Sequence, residues 1–216
     1  MITLSVVDIL GYLLAATRWT LLLSAIAFAG GGIGALLLLL LRYGRPKFGT
    51  RFLRIYVEVL QGTPLLLQLF LVFFGLPLLG IDVSPLLAAG VALTLYASAF
   101  LAEIWRGCVD AIGRGQWDAA AALGMKFVQR MRLVILPQAL KIAVPPTVGF
   151  LVQLVKSTAL ASIVGFSELT KAGQIVTNAT FQPVVVYGLV ALIYFCLCFP
   201  LTYCARMLER KLSPSR

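Results

Sequence analysis

Residues 118–137 read DAAAALGMKFVQRMRLVILP, a polar and basic stretch set between long apolar segments. Gln116 and Asp118 can offer acceptors at a helix start. Ala119, Ala120, Ala121 and Ala122 are strong helix formers, and Gly124 is a natural stop. The sequence therefore predicts a short helix with small side chains inside a charged loop over 106–141, closed by a sharp Leu136–Pro137 end. Small side chains let a partner's groove approach the backbone. From these residues alone, an ordinary solvated helix and a docking surface fit equally well.

The rest of the chain explains why such a loop stands out. Of 216 residues, 61% are hydrophobic and only 12% are charged, with a mean hydropathy of +0.99. Soluble domains carry about 45–50% apolar and about 25% charged residues, so lipid must cover this surface. A spanning helix needs roughly 20 apolar residues. Runs of that kind place five spans, at about 20–41, 59–81, 84–104, 145–167 and 183–205. The expected fold is all-α, a single transmembrane domain over 1–216 with no separate aqueous domain. Residues 1–18 are mildly apolar, contain Asp8 and lack a basic leader, which does not suit a cleaved signal peptide. They read as a helix lying at the membrane interface, with a partial sixth span as the alternative.

The net charge of +10 would suit a nucleic-acid binder, but its distribution does not. With five alternating helices, 15 of the 18 basic residues fall on one face. Arg42, Arg45, Lys47, Arg51 and Arg54 follow the first span. Arg106, Arg114, Lys126, Arg130, Arg132 and Lys141 follow the third, and Arg206, Arg210, Lys211 and Arg216 follow the fifth. The opposite face has Arg18 and Lys171 beside Asp8, Asp82 and Glu168. The excess of Lys and Arg marks the cytoplasmic side. It puts the loop and the C-terminus in the cytoplasm and the N-terminus outside, in a multi-pass plasma-membrane protein that does not bind nucleic acid.

Within the spans, Gly30, Gly31, Gly32 and Gly34 suit close helix packing. Glu103 can meet Arg106 one turn on. Pro145 and Pro146 read as the start of the fourth apolar helix. Lys156 then interrupts it near mid-depth, where a lysine costs roughly 2.5–3.5 kcal/mol. It lies about ten residues past Pro146, or ~15 Å along a helix, which is deep for snorkelling, so it is expected to face a polar interior. Gln153, Ser157, Thr158 and Ser162 surround it. Cys108, Cys196, Cys198 and Cys204 read as buried apolar residues, and with no histidine the chain offers no metal site.

The loop resembles the EAA loop of ABC-importer permeases, whose pattern is Glu-Ala-Ala, three residues, Gly, nine residues, Ile-x-Leu-Pro. Asp118-Ala119-Ala120 takes the triplet, Gly124 the glycine and Leu136-Pro137 the close; Asp118 replaces Glu and Val134 replaces Ile. Five further stretches resemble the polar-amino-acid branch of these permeases: 58–65 (EVLQGTPL), 102–107 (AEIWRG), 115–117 (GQW), 136–139 (LPQA) and 164–169 (VGFSEL). The likeness covers about residues 15–212. Gln61 and Ala159 depart from the Arg and Ser usual there.

The resemblance implies a five-span type I importer subunit and a dimer with an identical or sister permease. It implies an ABC ATPase dimer docked on Asp118, Ala119, Ala120, Ala121, Leu123, Gly124 and Met125, and an extracytoplasmic binding protein that delivers an amino acid. No Gly-x-x-x-x-Gly-Lys-Ser/Thr phosphate loop occurs. The chain is thus expected not to be an enzyme and to hold no cofactor, with ATP and Mg on the partner ATPase. Lys156, Gln153, Thr158 and Ser162 are the expected substrate-binding residues, Lys156 facing the amino-acid carboxylate. An ion-gradient-driven transporter is the alternative; it would want acidic relays at mid-depth, whereas Glu58, Glu103 and Glu168 fall near the ends of expected spans. A permease whose sister chain alone binds substrate also fits.

Overall fold

The computed structural model describes residues 5–212, and every regular element among them is helical. The helices are α1 (Val6–Gly44), α2 (Pro46–Gly62), α3 (Leu65–Leu78), α4 (Pro85–Asp110), α5 (Arg114–Ala122), α6 (Phe127–Ser162), α7 (Leu169–Thr180) and α8 (Pro183–Leu212). Helices α1, α4, α6 and α8 are each long and apolar enough to cross a bilayer. The pair α2–α3, bent by 99°, gives the fifth crossing when counted as one broken span.

The α1–α4 pair is the most extensive helix contact, and the glycine run is the reason. A Cβ on Gly31 would stand 2.5 Å from the Ala97 Cβ and 3.1 Å from the Ser98 backbone nitrogen, so the two backbones touch without intervening side chains. Around that contact Leu23, Ala27, Leu53, Leu69, Leu93, Leu101 and Leu154 form the main core, drawn from five helices. A second core joins Ile9, Leu13 and Ala16 of α1 to Leu169, Ala172 and Val176 of α7 and Val186, Val190 and Ile193 of α8.

That second core corrects the reading of residues 1–18. Residues 6–18 are not a separate interfacial helix; they are the first turns of an unbroken 39-residue α1. Their apolar face is buried by α7 and α8 instead of by lipid headgroups. Residues 1–4 lie outside the described residues.

The second span does not start at residue 59. Pro64 has no N–H and biases its neighbour towards extended backbone, and Thr63 adopts φ −112°, ψ 141°. Helix α2 therefore ends at Gly62. Gln68 covers the break: its Nε2 donates to the Leu60 carbonyl at 2.7 Å and to the Thr63 carbonyl at 3.1 Å.

The loop over 106–141 is mostly helix. Between α4 and α6 only residues 111–113 and 123–126 lie outside helices. Pro137 does not stop α6, because a wider π-turn over Met131–Ile135 precedes it and places the proline in the first turn of the next α-helical stretch. Pro145 and Pro146 are inside α6 rather than at its start. The Thr147 hydroxyl donates to the Ala143 carbonyl at 2.7 Å, one residue past the Lys141 and Ile142 carbonyls that the two prolines leave without an N–H. The α-helix ends at Ser157, passes through a 3-10 turn over Thr158–Ser162, and does not reach 167. Helix α7 then intervenes before α8, which extends past 205 to Leu212.

Candidate docking helix and intramembrane groove

Helix α5 starts at Arg114, so Asp118 is mid-helix and does not cap it. Its far end is closed by Gly124, which takes φ +74°. The Gly124 N–H bonds the Ala121 carbonyl at 2.9 Å and the Met125 N–H bonds the Ala120 carbonyl at 3.2 Å, the two bonds of a Schellman stop. Ala120 is buried, and Trp117 packs the helix against a small core of Val109, Ile112, Met131, Ile135 and Ala139. Trp117 stacks on Phe127, and Tyr43 from α1 approaches the same ring at 6.4 Å. Asp118, Ala119, Ala121, Ala122, Leu123 and Gly124 remain exposed. Leu123 is 81% exposed and Val128, beside it past the turn, 71%. Of the coupling residues expected from the resemblance, six lie on or next to this surface, and Ala120 is buried beneath it.

Charges brace the same end of the bundle. Arg106 bonds Glu103 through Nε at 2.8 Å, as the sequence spacing suggests, and also reaches Asp110 at 2.6 Å. Arg42 at the end of α1 meets Asp110 at 3.4 Å. The network ties α1 to α4 a few residues before α5 begins.

Lys156 and Gln153 face a groove of about 730 Å³ between α6 and α8. Gly149, Pro145, Pro146, Thr202, Arg206 and Glu209 complete much of its wall. Phe150 stacks on Phe100 at 5.5 Å. Lys156 is six residues further along an antiparallel helix, about 9 Å, level with the middle of the apolar part of α4. The other expected lining residues are elsewhere. Thr158 is fully buried and donates to the Val155 carbonyl at 2.7 Å. Ser157 is buried and bonds the Gln153 carbonyl at 3.0 Å. Ser162 opens on a different pocket, with Thr170, Gln174 and Tyr187. Helical spacing accounts for Thr158 and Ser162, which lie about 200° and about 240° around the axis from Lys156.

The described architecture has a counterpart among known proteins. The model of the family called binding-protein-dependent transport system inner membrane component matches residues 28–214. The chain belongs to that family. Relatives include the probable amino-acid ABC transporter permease protein YckA of Bacillus subtilis, 33% identical over 93% of this chain and 88% of that one. The arginine transport system permease protein ArtQ of Bacillus subtilis is 39% identical over 73% of this chain and 72% of its own length. The glutamine transport system permease protein GlnP of Escherichia coli is 32% identical over 93% and 92%. Among solved structures, a crystal structure of an amino acid ABC transporter with histidines superposes with TM-score 0.90 at 30% identity, covering 97% of this chain and 100% of that one. The methionine ABC transporter MetNI in an inward-facing conformation shares the fold, with TM-score 0.74 at 23% identity.

This member of the inner membrane component family also contains a feature that charge counting misplaced. Glu168, assigned to the sparse outer face, is fully buried. Its carboxylate accepts from the Tyr194 hydroxyl at 2.8 Å, the Lys171 N–H at 2.9 Å and the Thr20 hydroxyl at 3.4 Å. Thr20 in turn accepts from the Leu169 N–H at 3.1 Å. The cluster caps α7 and pins it to α1 and α8. Neither Thr20 nor Tyr194 stood out in the sequence, because both sit in uncharged runs; a polar hydroxyl on an otherwise apolar helix face was the available signal. The cysteines also divide differently from expectation: Cys108 and Cys198 are buried, while Cys196 and Cys204 are exposed on α8.

Proposed function

We propose that this chain is the transmembrane subunit of an ATP-driven importer that carries a polar amino acid, of the glutamate, glutamine or basic class, into the cytoplasm. The observation that carries the reading is the exposed apolar tip of α5 at the polar, basic end of the bundle. Leu123 is exposed there among basic residues, and the helix beneath it is packed down by Trp117 and closed by Gly124. A rigid helix with an exposed leucine and small neighbours suits a groove on a separate ATPase. The family assignment and the permease relatives point the same way.

In this reading the N-terminus is outside and the basic end is cytoplasmic. Two such subunits, identical or sister, pair in the bacterial plasma membrane. Closure of the ATPase dimer draws the two α5 helices together, and the bundles rock between two states that open a central path to one side at a time. A binding protein supplies the amino acid from outside. Lys156 supplies the cation for its carboxylate, with Gln153 beside it in the α6–α8 groove.

The buried Glu168 is the feature an ion-coupled transporter would share, and it keeps that second reading open to test. Uptake into vesicles containing the assembled transporter separates the two. Uptake that follows ATP and ignores ionophores supports the proposal; uptake that collapses with ionophores while ATP is held constant overturns it.

A further inference from the structure

Helix α2 has three faces. Leu53 and Val57 are buried in the main core with Leu39 and Ala35 of α1, and the Tyr56 hydroxyl lies 2.6 Å from the Ser98 hydroxyl of α4. These contacts fix α2 antiparallel to the last turns of α1, entering the apolar slab from the basic end. A second face carries Lys47, Arg51 and Arg54, spaced four and three residues apart and all exposed. None of the three forms an ion pair among the described residues. With Pro46, Thr50 and Ile55 they line an open groove of about 760 Å³. A third face, about 100° around the axis, exposes Phe48, Phe52, Ile55 and Val59. Phe48 stacks on Phe52 at 6.0 Å and Phe52 on Tyr56 at 6.2 Å, so the aromatic rings form a continuous strip.

A partner for this surface must offer anions at the level of Lys47–Arg54 and an apolar phase immediately beside them, continuing deeper along Ile55 and Val59. A second copy of the chain meets that need poorly, since an isologous contact brings the same patch against itself, with three cations to the single exposed acid Glu58 four residues past Arg54. A phospholipid does: its phosphate sits at the slab edge and its acyl chains run inward. We propose that α2 is a binding site for anionic phospholipid, in which Lys47, Arg51 and Arg54 hold the headgroup phosphate and Phe48, Phe52, Ile55 and Val59 lie along an acyl chain. Cationic side chains near a helix end bind anionic leaflets in this way.

The test uses the chain assembled with its ATPase, purified and titrated with phosphatidylglycerol or phosphatidylcholine, with bound lipid counted by native mass spectrometry. The wild type is expected to retain phosphatidylglycerol in preference to phosphatidylcholine. Arg51→Gln should weaken that binding about five-fold and the triple Lys47→Gln/Arg51→Gln/Arg54→Gln variant by about a hundred-fold, with ATPase copurification unchanged in both. The single variant keeps the test decisive if the triple fails to assemble. Equal retention of the two lipids by the wild type would overturn the proposal. So would binding of inorganic phosphate with no preference for phosphatidylglycerol. Loss of the ATPase from Arg51→Gln with lipid retention intact would overturn it too, and would assign α2 to the ATPase contact.

Discussion

The indole of Trp117 lies over the ring of Phe127, with centroids 6.4 Å apart and planes 22° apart. Trp117 belongs to α5 and Phe127 opens α6, so the stack fastens α5 to the base of a spanning helix. Tyr43 extends the contact to α1. A motion imposed on α5 thus reaches two spans through packed rings instead of a slack loop.

Trp117→Ala should therefore separate docking from transmission. The lost aromatic pair is worth about 0.5–1.5 kcal/mol beyond buried area. The ATPase should still copurify, because Leu123 and the exposed alanines are intact, while uptake per ATP hydrolysed falls. Parallel measurement of uptake and hydrolysis in proteoliposomes checks this; an unchanged ratio would remove Trp117 from the transmission path.

The α1–α4 contact predicts a sharp difference between adjacent glycines. Gly31→Ala pushes a methyl into Ala97 and the Ser98 backbone, neither of which can rotate away. Such overpacking costs about 1–3 kcal/mol. Gly32→Ala meets only the Trp105 ring edge at 3.7 Å, an ordinary contact. Thermal inactivation of the purified protein should drop several degrees for the first and stay near wild type for the second. Equal behaviour would refute the close approach.

Tyr194→Phe removes one donor from the buried Glu168 carboxylate. Hydrogen bonds to charged groups contribute about 1.5–3 kcal/mol, so the variant should lose stability on that scale. Thr20→Val, which also strips the Leu169 N–H of its acceptor, should act through the same cluster, and the double variant should lose less than the sum. Strictly additive losses in a thermal series would argue that the residues do not form one unit.

Lys156→Met keeps the length of the side chain and deletes its charge. If Lys156 holds the substrate carboxylate, the half-saturating amino-acid concentration for ATP-dependent uptake should rise at least ten-fold with the ATPase still attached. Lys156→Arg should retain more affinity than Lys156→Met. Unchanged affinity and rate in both would discard the role.

Much of this architecture was legible in the residues because lipid leaves few options: apolar runs of spanning length must be helices. The Ala119–Ala122 run and Gly124 gave α5 and its stop for local reasons that no tertiary contact overrode. What could not be read were effects of register and packing. Thr158 and Ser162 fall about 200° and about 240° around a helix from Lys156, so helical spacing already set them off its face; the 3-10 turn after Ser157 is what the local composition does not announce. Pro145 and Pro146 looked like a start signal, but a membrane helix tolerates prolines and runs through them. Pro64 lay in the sequence, yet the 99° break it makes in the second crossing is covered by Gln68 reaching back to the freed Leu60 carbonyl, a contact that composition does not announce. Glu168 was misplaced because a charge count assumes that carboxylates stay near water, and Tyr194 and Thr20 made burial possible.

The docking role of α5 is tested most directly by Gly124→Asp. An Asp at φ +74° strains the stop by about 1–2 kcal/mol and puts a charged side chain beside Leu123 while leaving every spanning helix untouched. After mild-detergent purification from cells expressing the whole transporter, the variant should be present at wild-type levels, elute as a folded membrane protein, and come free of ATPase. A variant that still brings down the ATPase and supports ATP-driven uptake at the normal rate would contradict the account.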